Sequence, residues 1–162
     1  MQLSTCRLEL RDAEDTDIPR LSAYQSDSRY LEHYEVKPDA GDIIAQAKSW
    51  ALENPRLNYQ LIVTRVEDSA VIGCAGIRTE GYAKSKGEIG IELNPDYWGE
   101  GYASEVVRKL IEFSKSIGVS ELYATTASTN KRAYRLLTGH GFSQTNANGS
   151  QISLHCDLES PV

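Results

Sequence analysis

The chain has 162 residues, 40% of them apolar and 25% charged, and 23 acidic against 17 basic side chains give a formal charge of −6. That length fits one domain with a self-sufficient core, and the apolar runs are far too short to cross a bilayer. The absence of any lysine- or arginine-rich block argues against sequence-independent nucleic-acid binding, and the acidic balance mildly favours cationic partners such as amines.

The N-terminus leads almost at once into a strand-like segment and shows no signal-peptide pattern. Cys6, Cys74 and Cys156 are odd in number, far apart and without a C-x-x-C pair. They read as small buried hydrophobes in a reducing compartment, and a cytoplasmic location is expected.

In chain order, Arg7-Leu8-Glu9-Leu10-Arg11 alternates as a half-buried strand does. Ile18, Leu21, Ala23 and Tyr24 predict an amphipathic helix to about Gln25, after an acidic run with capping candidates. Residues 26–39 read as irregular. Ile43, Ile44, Ala47, Trp50 and Ala51 predict a second helix, ended by Asn54-Pro55. Two strands, 59–66 and 70–78, are joined by Glu67-Asp68-Ser69, and a polar connection leads to a third, Glu88 to Leu93. Pro95 cannot continue a ladder. The cleanest periodicity lies at Ala103, Val106, Val107, Leu110, Ile111, Ser114 and Ile117, a helix closed by Gly118. A strand over 121–126 then implies a right-handed crossover and local parallel pairing. A short helix over 130–137 and a hairpin of 142–144 with 151–158 complete an α+β layer with one mixed sheet.

The stretch from Gly87 to Lys109 runs strand, turn, glycine-broken loop, helix. Such a loop presents unpaired N–H groups and the positive end of a helix dipole, an anion site suited to phosphates. A glycine-rich turn that happens to precede a helix would look the same. A Walker A loop would need G-K-[ST], which Ala103-Ser104 does not supply. The dinucleotide fingerprint would need Gly or Ala where Ser104 stands and an acid at the end of the next strand, whereas Glu121 is at its start.

Asn94-Pro95-x-Tyr97-Trp98-Gly99-x-Gly101-Tyr102-Ala103-Ser104-Glu105 resembles the pyrophosphate motif of the GCN5-related N-acetyltransferases, with Trp98-x-x-Gly101-x-Ala103 in the place of Q/R-x-x-G-x-G/A. Trp in the first slot is similar to the branch that includes ribosomal-protein N-terminal acetyltransferases. Asn130-x-x-Ala133-x-x-Leu136-Leu137-x-x-x-Gly141-Phe142 resembles the family's second motif, and the element order agrees over nearly the whole chain. The resemblance implies a single N-acetyltransferase domain over residues 1–162, with a mixed, mostly antiparallel sheet of about seven strands flanked by about four helices. It also implies acetyl-coenzyme A as cosubstrate and direct transfer of the acetyl group to a primary amine, on a protein N-terminus or a small molecule. Relatives that pair through a sheet edge leave a homodimer open, and neither nucleic acid, membrane nor metal is expected.

The resemblance assigns residues as follows. Backbone N–H groups of Gly99, Glu100, Gly101, Tyr102, Ala103 and Ser104 would hold the pyrophosphate beside Trp98. A bulge in the strand would splay it from the next, so that Ile91, Glu92 and Leu93 offer free backbone groups to pantetheine and to the oxyanion. Asn130 would contact the pantetheine arm, although asparagine at that place is also an ordinary helix N-cap. Glu88 and Glu92 share one face of the strand; Glu88 matches the family's general base, or both are solvated carboxylates. The family's sulfur-protonating tyrosine slot holds Leu137, so Tyr134, one turn away, is the candidate acid or thiol contact, with a core tyrosine as the plain alternative. Tyr30 and Tyr34, with Glu92, are the substrate-binding candidates; Tyr24 and Glu35 fall in the same region. His33, His140 and His155 lack metal-ligand spacing. A coenzyme A-binding sensor without turnover, and an interaction domain that keeps only the fold, are the other classes the pattern admits.

Overall fold

A computed structural model describes residues 1–159, and the last three of the expected 1–162 domain lie outside the described residues. One eight-stranded sheet is built from β1 (Gln2–Ser4), β2 (Leu8–Asp12), β3 (Asn58–Arg65), β4 (Val71–Arg78), β5 (Lys86–Leu93), β6 (Glu121–Ala127), β7 (Ser143–Asn148) and β8 (Gln151–Asp157). The helices are α1 (Ile18–Gln25), α2 (Ser28–Leu31), α3 (Ala40–Ala51), α4 (Tyr102–Ser116) and α5 (Lys131–Thr138). Strand order is β1-β2-β3-β4-β5-β6-β8-β7, antiparallel throughout except for β5 against β6. The expected α+β class and parallel crossover through α4 are as observed, with β1 and α2 in addition to the expected elements.

The sheet separates two apolar cores. Leu8, Leu10, Leu61, Val63, Ile77, Ile89 and Leu93 face one side and meet Val106, Val107 and Leu110 of α4. Ile62, Val71 and Cys74 face the other and meet Leu21 and Tyr24 of α1 and Ile44 and Ala47 of α3. Cys74 and Cys156 are buried as expected, but Cys6 is exposed, because it sits in the turn between β1 and β2. Each fully buried leucine or isoleucine contributes about 1.5–3 kcal/mol relative to leaving it exposed. Ile117, expected on the buried face of α4, is instead the helix C-cap and 37% exposed, because the stripe ends where Gly118 turns left-handed at φ +88.

The middle of β4, Gly73-Cys74-Ala75-Gly76, carries only small side chains or none where it pairs with β3. A Cβ on Gly76 would lie 1.7 Å from the Tyr59 carbonyl oxygen, so the close backbone approach requires glycine there.

The junction of β5 and β6 positions the site. Their parallel ladder has only three pairs, from Lys86↔Glu121 to Glu88↔Tyr123. Beyond it β5 stays with β4, in unbroken register from Glu88 to Leu93. β6 stays with β8 from Glu121 to Ala127. The two strands therefore diverge, as expected, but not through a bulge in β5. The register shift lies between Val63 and Thr64 in the β3–β4 pair. The gap opens because each strand keeps its outer partner while the twisted sheet separates into two halves.

Candidate active site

The amide of Asn94 bonds back to the Ile72 carbonyl of β4 at 2.7 Å. In an antiparallel ladder such outward and inward groups alternate, so Ile91 and Leu93 turn their N–H and C=O into the gap while Glu92 turns its own toward β4. Glu92, expected to offer backbone to the cosubstrate, is thus committed to the ladder opposite Cys74. The Leu93 carbonyl is also taken, by Trp98 Nε1 at 3.1 Å. This leaves the Leu93 N–H and both backbone groups of Ile91.

Downstream of β5, a single helical turn (Pro95–Tyr97) is capped by the Asn94 side chain, which accepts from the Asp96 N–H at 3.0 Å. Gly99 and Gly101 follow at φ +81 and +82, a left-handed conformation that other residues enter only at a cost. Gly101 is the N-cap of α4 and brings no side chain to cap it. The first-turn N–H groups of Tyr102, Ala103 and Ser104 accordingly face outward at the positive end of a 15-residue helix. Arg7 fixes the loop: it donates to the Glu100 carbonyl at 3.1 Å and stacks over Tyr102 at 4.2 Å. Glu105, buried in the first turn of α4, receives the Arg7 backbone N–H and Nε, both at 2.8 Å. On the other side the Arg132 guanidinium lies 4.2 Å from the Trp98 ring centroid.

A cavity of about 700 Å³ joins this loop to the gap, lined among others by Ile91, Leu93, Trp98, Gly99, Gly101, Ala103 and Ser104. A second, of about 590 Å³, continues through the gap past Ile89, Gly90 and Ala124 to the outer surface. Asn130 lines both, and its side chain caps α5 by accepting from the Ala133 N–H at 3.1 Å. Glu100 contributes its carbonyl to Arg7 and does not line the cavity, whereas Tyr102, Trp98 and Ser104 do. Ser104 is tied to His140, Oγ to Nε2, at 2.6 Å. Burial and the nearby Arg108 hold the His140 imidazole below its ordinary range.

The acceptor-side candidates converge. Glu92 Oε2 accepts from the Tyr24 hydroxyl at 2.8 Å and from Gln25 Nε2 at 3.1 Å. Tyr30 sits edge-on to Tyr24 and stacks on Tyr34 with centroids 4.7 Å apart. Tyr30, Tyr34 and Glu92 all line the first cavity. Burial pushes the Tyr24, Tyr30 and Tyr34 phenols up, and the Glu92 carboxylate adds to this, so all three are neutral groups over the physiological range.

Two expectations do not fit. Glu88 shares the face of Glu92, but it belongs to the last ladder pair, at the closed end of the gap, and lines neither cavity. Its carboxylate accepts from Tyr82, whose phenol is pushed up to about 12 by burial and by this bond, and it lies 3.8 Å from Arg78. Tyr134 packs against the core and also lines neither cavity; Ala133, Leu136 and Leu137 take the cavity faces of α5. No local pattern in the sequence marks Gln25, Arg132 or the Arg7–Glu105 pair as part of the site. Among the described residues no cluster of metal-binding side chains is present, and no helix is long and apolar enough to cross a membrane.

The chain belongs to the GNAT acetyltransferase family: residues 7–143 match its acetyltransferase (GNAT) domain. Membership makes it an acyltransferase. It is 30% identical over 146 residues to the uncharacterized N-acetyltransferase p20 of Bacillus licheniformis, covering 86% of this chain and 81% of that protein. Its fold is that of a GNAT-family acetyltransferase from Bacillus anthracis (TM-score 0.81, 19% identity, 99% of this chain and 100% of that one). It is likewise that of spermidine N-acetyltransferase from Vibrio cholerae, solved with CoA and spermine (TM-score 0.77, 16% identity, 95% and 97%).

Proposed function

We propose that the chain transfers an acetyl group from acetyl-coenzyme A directly to a primary amine. The observation that carries this reading is one continuous cavity from an uncapped helix N-terminus into the gap between two diverging strands. Its residues fit coenzyme A. The Tyr102, Ala103 and Ser104 amides suit a pyrophosphate, and Lys131, Arg132 and Arg135 add positive charge on the same side. The Ile91 backbone and the Leu93 N–H suit the amide-rich pantetheine arm, as an added strand would. Asn130 stands beside that arm, and the rest of the second motif supplies the apolar wall.

Acetyl-coenzyme A supplies the activated acyl carbon. The protein has to remove a proton from the incoming ammonium and hold it in line. Glu92 is the carboxylate in place for both. It sits at the open end of the gap, both its hydrogen bonds fall on Oε2, and Oε1 is the oxygen left for the amine. Glu88, the family-matched base, is held at the closed end by Tyr82 and Arg78. Leu137 fills the family's sulfur-protonating slot, and Tyr134 packs against the core and lines neither cavity, which leaves water to protonate the departing thiolate.

Thiol release from acetyl-coenzyme A with an amine panel tests the reading. Glu92→Gln is expected to lower kcat/KM about 100-fold, the usual scale of a lost general base, and Glu88→Gln by less than threefold. The reverse order would move the role to Glu88. Cosubstrate binding with no thiol release for any amine would leave a coenzyme A-binding module instead.

A further inference from the structure

The two cavities differ in charge. On the coenzyme A side Lys131, Arg132 and Arg135 have no carboxylate partner among the described residues. Arg29, also on that side, is spent on Asp27 and Asp96 at 2.7 and 2.6 Å. The outer cavity, through which an acceptor would enter, is lined by Glu35 and by Glu32, which borders both cavities, and by no lysine or arginine among the described residues. Lys37, the nearest cation in sequence, is turned to the Ser26 hydroxyl at 2.9 Å. His33 is fixed by Thr129, Nδ1 to Oγ1 at 2.8 Å, and its Nε2 lies 3.8 Å from Glu32.

A second observation points to a ligand and does not depend on the acidic mouth. Tyr30 is only 5% exposed and lines the cavity beside Glu92, yet its hydroxyl has no hydrogen-bond partner among the described residues. Buried polar atoms are rarely left so. The stacked Tyr30–Tyr34 pair adds aromatic faces to that wall, and aromatic faces attract cations. A phenol oxygen, a carboxylate and a ring face together suit an ammonium group, which has three donors and no acceptor.

We propose that the acceptor is an amine carrying a second positive charge, with its reacting nitrogen at Glu92 and Tyr30 and its distal cation at Glu32 and Glu35 in the outer mouth. This rests on the acetyltransfer reading above and narrows its substrate class. An acceptor with a distal carboxylate would meet two like charges with no cation to offset them.

Three four-carbon amines separate the possibilities: putrescine, butylamine and γ-aminobutyrate, whose distal groups are ammonium, methyl and carboxylate. With the full chain and acetyl-coenzyme A at low salt, kcat/KM for putrescine is expected about fivefold above butylamine and more than tenfold above γ-aminobutyrate. Added salt should compress the series. The Glu32→Gln/Glu35→Gln double variant, at two exposed positions, should bring putrescine down to butylamine. Equal rates for the three amines, or a preference for γ-aminobutyrate, would overturn this inference and leave acetyltransfer standing. Turnover of none of the three would overturn this inference, and only the absence of thiol release with every amine of the wider panel would remove acetyltransfer as well.

Discussion

Replacing Glu105 by glutamine removes a single charge from the point where the turn between β1 and β2 is tied to the first turn of α4. The carboxylate is 8% exposed and accepts from the Arg7 N–H, from Arg7 Nε and from the Thr5 hydroxyl. A glutamine oxygen can replace one acceptor, but its NH2 would then face a donor. A charged hydrogen bond lost in this way costs about 1.5–3 kcal/mol. Arg7, with 42% of its side chain exposed, can turn part of its fork to water, so about 2 kcal/mol remains after that relief. At about 2–4 °C per kcal/mol for a chain of this size, Tm should fall by about 4–8 °C at pH 7, read by circular dichroism. The pH dependence follows from the same contacts. Burial opposes ionisation of Glu105 most strongly, but the Thr5 and Arg7 bonds outweigh it and hold the carboxyl below its ordinary 4.5. A depressed folded-state value means stabilisation that is complete above 4.5 and lost as pH falls through the folded value. The gap between wild type and Glu105→Gln should therefore close in acid. A Tm difference below about 1 °C at pH 7, or a gap that persists undiminished in acid, would refute this account.

Three further substitutions probe the scaffold. Gly101→Ala meets no close atom, since a Cβ there would come no nearer than 3.5 Å to Arg7, but φ is +82. It should cost about 1–2 kcal/mol of stability, with acetyl-coenzyme A affinity, measured by calorimetry, falling about tenfold. Trp98→Phe keeps a ring under Arg132 and deletes the bond to the Leu93 carbonyl. It should destabilise by about 1 kcal/mol and raise KM for acetyl-coenzyme A more than it lowers kcat. Gly76→Ala forces a Cβ into the Tyr59 carbonyl and should lose more than about 4 kcal/mol, seen as insoluble expression; soluble protein of unchanged Tm would contradict the packing.

The sequence reveals α4 best, since a 15-residue helix against one core must repeat its apolar residues. β7 is hidden for the opposite reason. All six of its residues are exposed on a sheet edge, so no alternation marks them, and a strand expected to stop at Gln144 runs on to Asn148 past a register shift. β1 and α2, three and four residues long, are too short to show a period. Within the site, Glu88 and Glu92 are equivalent by strand parity. What separates them is where the β5–β6 ladder ends, which depends on β8 holding β6 from the far side. Arg7 and Glu105 are 98 positions apart, and Tyr24 and Glu92 are 68 apart, and neither pair leaves a local signal.

The three-pair seam between β5 and β6 makes the sheet mechanically two plates, with β1 to β5 on one side and β6, β8 and β7 on the other. A pantetheine arm lying in the gap would act as the missing stitch between them. Bound cosubstrate then belongs to the tertiary structure as much as to the chemistry, and thermal stability should climb with its concentration as RT ln(1 + [L]/Kd). Hydrogen exchange should slow most at Ile91 and Leu93, whose amides face the gap.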